Sequence, residues 1–195
     1  MTDHSGNEDA NHGTTGGDHG GDHGGADGGE RDRDGRLAAA VALRESGQPE
    51  RARAQLLALS EELPQDAEVA FQTAWTHDAL GLEARAVPFY VTALAGDGLS
   101  PADRQGALLG LGSTYRALGR HAEAVATLRR GVAEFPEHGG LRAFLAMALH
   151  NTGEHAEAVG LLLRLLAETS RDPGVAEYGK AIAYYADRLD ETWPG

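Results

Sequence analysis

The heptapeptide Gly119-Arg-His-Ala-Glu-Ala-Val125 returns 34 residues later as Gly153-Glu-His-Ala-Glu-Ala-Val159, with six of seven residues identical. A fixed period of this length means that one supersecondary unit is repeated, and it constrains the fold more tightly than composition does. Two weaker copies, Gly81-Leu-Glu-Ala-Arg-Ala-Val87 and Gly47-Gln-Pro-Glu-Arg-Ala-Arg53, extend the series toward the N-terminus at offsets of 38 and 34. The four extra residues fall near Gly96-Asp-Gly-Leu-Ser-Pro101, whose glycine, serine and proline read as a loop.

Each repeated glycine separates two helical patterns. Ahead of Gly119, Leu108, Leu111, Tyr115 and Leu118 recur every three or four residues; behind it, Ala124, Val125, Leu128 and Val132 do the same. That is the period of an amphipathic helix, and glycine suits the break between two of them. Ser100-Pro101-Ala102-Asp103 reads as a helix start, with a serine cap, a proline in the first turn and an acid at the positive end. Asp172-Pro173 opens a last helix in the same way. Pro88, near the start of a second helix, predicts a slight bend and no break.

On these residues the chain resembles the tetratricopeptide repeat (TPR) family, and within it the group 5 TPR domains. Residues 105–138 carry the pattern best: Leu108-x2-Leu111-Gly112-x2-Tyr115, then Ala124-x3-Leu128, then Pro136. Leucine stands in place of the family's first Trp and of its Phe. Residues 139–172 keep Leu145, Ala158 and Leu162, residues 67–100 keep Ala74, Ala86, Tyr90 and Ala93, and residues 33–66 keep Ala40, Ala52, Leu56 and Pro64. The resemblance implies an all-α, right-handed solenoid of four helix pairs over 33–66, 67–100, 105–138 and 139–172, closed by a capping helix within 173–195. Small residues at Ala40, Ala74, Gly112 and Ala146, matched by Ala52, Ala86, Ala124 and Ala158, let the two helices of a unit approach closely. One pair cannot bury its apolar face alone, so the units stack.

The resemblance also implies a concave groove lined by the first helix of each unit. Its binding positions fall on Phe71, Trp75 and Asp78 in unit two, on Leu109, Ser113 and Arg116 in unit three, and on Met147 and His150 in unit four. Unit one adds Leu37, Val41 and Arg44, and the last helix adds Glu177, Ala181 and Tyr184. Trp75, Phe71, Leu109 and Met147 suit the apolar side chains of a partner, Arg116 a carboxylate and Asp78 a base. Aromatic residues and arginine are the types that most often dominate binding energy. Phe71, Trp75 and Met147 have a second reading as packing between units. TPR domains that clamp a terminal carboxylate use groove lysines and asparagines; this chain has a single lysine, Lys180, which excludes that ligand class.

Composition divides the chain in two. Residues 1–35 hold 11 of the 27 glycines, with nine acidic and two basic residues, so they carry −7 of the net −13. They hold no large apolar side chain except Met1, cannot offset the entropy of ordering, and are expected to be disordered ahead of a solenoid over 36–195. His19 and His23 stand in this tail among aspartates, a donor set that suits a metal ion, so metal binding by the tail with the repeats as a docking domain is the alternative function. A solubilising linker is the competing reading of the same segment.

The other exclusions follow quickly. The acidic balance disfavours nucleic acid. No stretch reaches the length of a membrane span, and the start lacks the features of a signal peptide, so the expected compartment is the cytoplasm. Sixteen arginines against one lysine suggest a GC-rich bacterial genome. No nucleophile elbow, phosphate loop or zinc-protease motif appears, so no enzyme activity and no cofactor is expected. His121 and His155 hold equivalent places in successive units, which points to a structural role beside the turn. Tyr178, Tyr184, Tyr185 and Trp193 cluster near the C-terminus, where they cover the open end of the stack or form a partner or self-association surface. The expectation is a non-catalytic interaction scaffold that binds a peptide or protein segment in its groove.

Overall fold

The computed structural model describes residues 24–193, with side chains from residue 29 onward. Nine helices and no strand occur among these residues: α1 Gly24–Glu45, α2 Pro49–Glu62, α3 Ala67–Ala79, α4 Glu83–Ala95, α5 Pro101–Ala117, α6 His121–Glu134, α7 Gly139–Thr152, α8 His155–Thr169 and α9 Pro173–Tyr185. This is the all-α solenoid of four helix pairs with a last helix at its C-terminal end.

The turn inside each pair is set by the repeated glycine. Gly47, Gly81, Gly119 and Gly153 have φ of 77°, 67°, 74° and 87°, the left-handed region that a Cβ disfavours. After each of them an N–H reaches back five residues to the preceding helix: Gln48 to Leu43, Leu82 to His77, Arg120 to Tyr115 and Glu154 to Leu149, all at 2.9 Å. That bond closes a Schellman motif four times over and fixes the angle at which the second helix leaves the first. The first helices are capped differently, by side chains that accept from a backbone N–H three residues on: Asp66, Ser100, His138 and Asp172.

Within a pair, small residues set the spacing. Ala40, Ala74, Gly112 and Ala146 are buried against second helices whose Ala52, Ala86, Ala124 and Ala158 are buried in turn. A Cβ at Gly112 would run into the Leu128 side chain, and one at Gly110 into the Tyr90 ring. Between pairs, each of α3, α5 and α7 packs on the second helix before it and on the first helix before that. The first helices therefore form one continuous inner layer and the second helices an outer one.

One expectation needs correction. The four extra residues between units two and three do not enlarge a loop. They are absorbed as an additional turn of α5, which starts at Pro101 behind its Ser100 cap. The division at residue 35 falls within α1, which runs from Gly24 to Glu45. Arg33 donates to Asp66 at 2.8 and 3.0 Å and to Glu68 at 2.8 Å, so the upstream half of α1 is tied to the start of α3. Burial pushes the Asp66 carboxyl up, but its bonds from Arg33 and from the Val69 and Glu68 N–H groups outweigh that and hold it below its ordinary value. The expected disorder of residues 1–23 lies outside the described residues. Pro88 sits inside α4, which continues through it to Ala95.

The close approach at Gly112 is open to test. Gly112→Ala should lower stability by about 1–3 kcal/mol, since Leu128 must leave a well-packed site. For a chain of this size that is a fall in Tm of roughly 3–10 °C, readable by circular dichroism.

Candidate peptide-binding groove

The inner layer carries two clefts. The first, of about 310 Å³, lies between α3 and α5 and is lined by Phe71, Trp75, Asp78, Tyr90, Leu109 and Ser113, with Ala79, Gly106 and Gly110 at its floor and edge. The second, of about 510 Å³, lies between α7 and α8 and is lined by Met147, His150, Ala158, Val159 and Leu162, with Arg116, Ala146, Asn151 and His155 around them. Of the fourteen groove positions the resemblance gives, five line the first cleft and three the second, while Leu37, Val41, Arg44, Glu177 and Ala181 line neither. Tyr184 lines neither; it packs edge-on against Tyr185 at 5.2 Å, with the Arg188 guanidinium over its ring at 4.2 Å.

The two readings of Phe71 and Trp75 separate. Phe71 is 3% exposed and packs between Trp75, Tyr90 and the Gly106 backbone, so it belongs to the core between units two and three. Trp75 is 47% exposed. Its indole carries the Arg44 guanidinium over one face at 4.0 Å, and Arg44 in turn donates to the Gln72 side-chain oxygen at 2.7 Å. The remaining indole surface faces the cleft. Met147 is half-exposed at the mouth of the second cleft, which removes it from the core as well.

Asp78 dominates the electrostatics of the first cleft. Its carboxylate accepts from the Tyr90 hydroxyl at 2.8 Å and from the Thr114 hydroxyl at 2.9 Å. It has no ion-pair partner among the described residues. Burial is the largest influence on it and raises its pKa above the ordinary carboxylate value, against the lowering effect of the two hydroxyl donors. Burial and the neighbouring Asp78 likewise push the Tyr90 phenol up. The cleft thus presents a half-buried, charge-uncompensated carboxylate beside an exposed indole. Both attract cations, the first by charge and the second through its ring face.

A model of the tetratricopeptide repeat family matches residues 67–189, well over half of the chain. The chain belongs to the TPR family. Solved structures agree on the fold. YrrB, described as a TPR protein with an unusual peptide-binding site, is 20% identical with a TM-score of 0.64, over 85% of this chain and 82% of its own. A MamA structure is 20% identical with a TM-score of 0.62, over 74% and 78%. PilF of Pseudomonas aeruginosa is 19% identical with a TM-score of 0.61, over 86% and 80%. No curated protein matches the sequence.

TPR domains are interaction scaffolds, and the remaining residues of this one fit that frame. His77, at the family's aromatic position in unit two, is buried and donates from Nδ1 to the Thr73 carbonyl at 2.8 Å while stacking on Phe89 at 5.3 Å. Burial lowers its pKa. The His155 ring lies tilted against that of His150 at 4.8 Å beside the Gly153 turn, close to where sequence equivalence puts it. The tail residues His19 and His23 lie outside the described residues. No helix among the described residues is long and apolar enough to cross a membrane. Sequence reasoning missed the contribution of Tyr90 and Gly110 to the first cleft, because both sit at core positions. The signal was available: glycine at 110 leaves room for the Tyr90 ring to reach Asp78.

The raised pKa of Asp78 has a stability consequence with a definite sign. Its folded value lies above the unfolded one, so ionised Asp78 costs stability at neutral pH, and that cost disappears as pH falls through the folded value. Asp78→Asn keeps an acceptor for Tyr90 and should melt at or above the wild-type temperature at pH 7. The difference should shrink toward pH 4, measured by paired thermal melts.

Proposed function

We propose that this protein is a non-catalytic scaffold whose α3–α5 cleft binds an extended or helical peptide segment carrying a basic side chain next to an apolar one. The basic group enters between Trp75 and Asp78, and the apolar neighbour lies on Leu109 and the edge of Phe71. The observation that carries the reading is Asp78: a part-buried carboxylate with no ion-pair partner among the described residues, beside an exposed tryptophan, in an open cleft of the concave layer. The carboxylate carries no compensating charge, and the indole already holds the Arg44 guanidinium over one face, which supports its taking a cation. The indole adds roughly 0.5–2 kcal/mol through its face.

Trp75 is one of two tryptophans, so Trp193→Phe leaves it as the sole tryptophan, excited selectively at the red edge of the absorption band. Titration of that variant with arrayed peptides having a central Lys or Arg flanked by aliphatic residues should change the Trp75 emission. The matched Glu-centred peptides should leave it unchanged. Adding Asp78→Asn should weaken the basic peptides by about tenfold or more without loss of thermal stability. Equal response to basic and acidic peptides, or no effect of Asp78→Asn, would remove the cleft from consideration.

A further inference from the structure

The last second helix, α8, keeps an apolar face that every earlier second helix hides. Val159, Leu162 and Leu166 are 45%, 45% and 42% exposed. Their equivalents one unit earlier are Val125 at 6%, Leu128 at 0% and the half-buried Val132. In unit two the same positions hold Val87, Tyr90 and Leu94, and in unit one Arg53, Leu56 and Ser60, all buried or half-buried. In those three units the first helix of the next unit supplies the cover.

At the end of the chain α9 is available for this task and does not perform it. It packs on α8 and not on α7, whereas α3, α5 and α7 each contact the previous first helix too. Its footing is the wrong flank of α8. Gly160 meets the Ala186 carbonyl, Arg164 pairs with Asp187, and Gly179 lies against Ala167. The residues equivalent to Gly160, Arg164 and Ala167 in unit three, Ala126, Arg130 and Ala133, face solvent. Lys180 also stands where the other first helices have alanine or glycine, which suits a helix that takes no close-packed partner. No residue of α9 between Pro173 and Tyr185 is buried, so its outer face, with Tyr178, Tyr184 and Tyr185, is open as well.

An empty helix seat and an uncovered helix therefore stand side by side at one end of the same molecule. We propose that a second copy of this chain resolves both: its α9 lies in the seat on α7 and α8 of the first copy, and the first copy's α9 lies in the equivalent seat of the second. The result is a two-fold arrangement of four helices, α8 and α9 from each copy, a self-complementary contact of the kind closed dimers use. The amount of surface fits. Nine of the twelve exposed large apolar side chains among the described residues lie between Met147 and Trp193. With aromatic rings offering roughly 150–250 Å² each, half-exposed side chains in this number leave on the order of 800 Å² uncovered, about one partner's share of a standard interface. The three helices that fill the equivalent seats inside the chain show what the seat accepts: an amphipathic helix with small and apolar residues at three- and four-residue spacing, as in Leu141, Leu145 and Ala148 of α7. A further copy of α9 presents Tyr178, Ala181 and Tyr185 at that spacing. The contact leaves the α3–α5 cleft free, so it goes beyond the peptide-binding reading and stands independently of it.

Sedimentation velocity of the full chain between roughly 1 and 100 μM reads the equilibrium directly. Wild type should shift from monomer to dimer over that range. Val159→Asp with Leu162→Asp, and separately Tyr178→Ser with Tyr185→Ser, should each weaken the dimer by about tenfold or more, with the melting temperature of the monomer unchanged because all four side chains are exposed. The chain has no cysteine, so Leu162→Cys and Tyr178→Cys variants report on each other alone. Mixed together, they should form an intermolecular disulfide faster than either variant does by itself. A wild type that remains monomeric throughout, or a dimer that neither pair weakens, overturns the proposal. Loss of peptide binding in Asp78→Asn would leave this result untouched.

Discussion

Every helix pair in this protein has an apolar face that it cannot bury by itself, and the next pair supplies the cover. The rest of the structure follows from that dependence. Glycine in the left-handed region turns the chain back on itself within each pair, and alanine or glycine at the crossing lets the two helices touch. What remains uncovered is the stripe that begins, in unit three, with Val125 and Leu128. Stacking units hides it three times. On α8 the stripe stays exposed among the described residues, because α9 packs on the other flank of that helix.

The same arrangement separates the two proposed surfaces. Stacking brings the first helices into one inner layer, so side chains from successive units face a common groove although they are 34 or more residues apart. In that groove Asp78 is held by Tyr90 from its own unit and Thr114 from the next. The carboxylate is thus fixed by the junction between units, which is also where Trp75 emerges. The end of the array offers chemistry of a different kind, apolar and shaped for a helix. The two proposals are thus compatible, since the α3–α5 cleft and the exposed stripe on α8 share no residue.

Much of this was legible in the sequence, for one reason: the repeat makes each position readable several times. Gly119 and Gly153 located the turns, and Ser100 and Asp172 located the helix starts. What escaped depended on contacts the repeat does not encode. The composition of residues 24–35 argues for disorder, but Arg33 finds Asp66 and Glu68 across a gap of more than thirty residues. The four extra residues ahead of unit three lengthen α5, where the glycine-rich stretch before it suggested an insertion in the loop. Phe71 and Trp75 are four residues apart on one helix and differ only in depth, and that is decided by Gly106 on the neighbouring helix, which admits the phenyl ring. The displaced seat of α9 is written in Gly160 and Lys180, two departures from the repeat whose meaning depends on where α9 comes to rest.

The dependence of each unit on the next is tested most directly by hydrogen exchange of the full chain, resolved by helix, at low and high protein concentration. In dilute solution the amides of α9 should exchange first, because this helix buries none of its side chains, while α3 to α7 exchange last. Protection of α8 and α9 should rise with concentration as the exposed stripe is covered. Protection of α9 equal to that of α5 in dilute solution, unchanged on concentrating, would contradict the account.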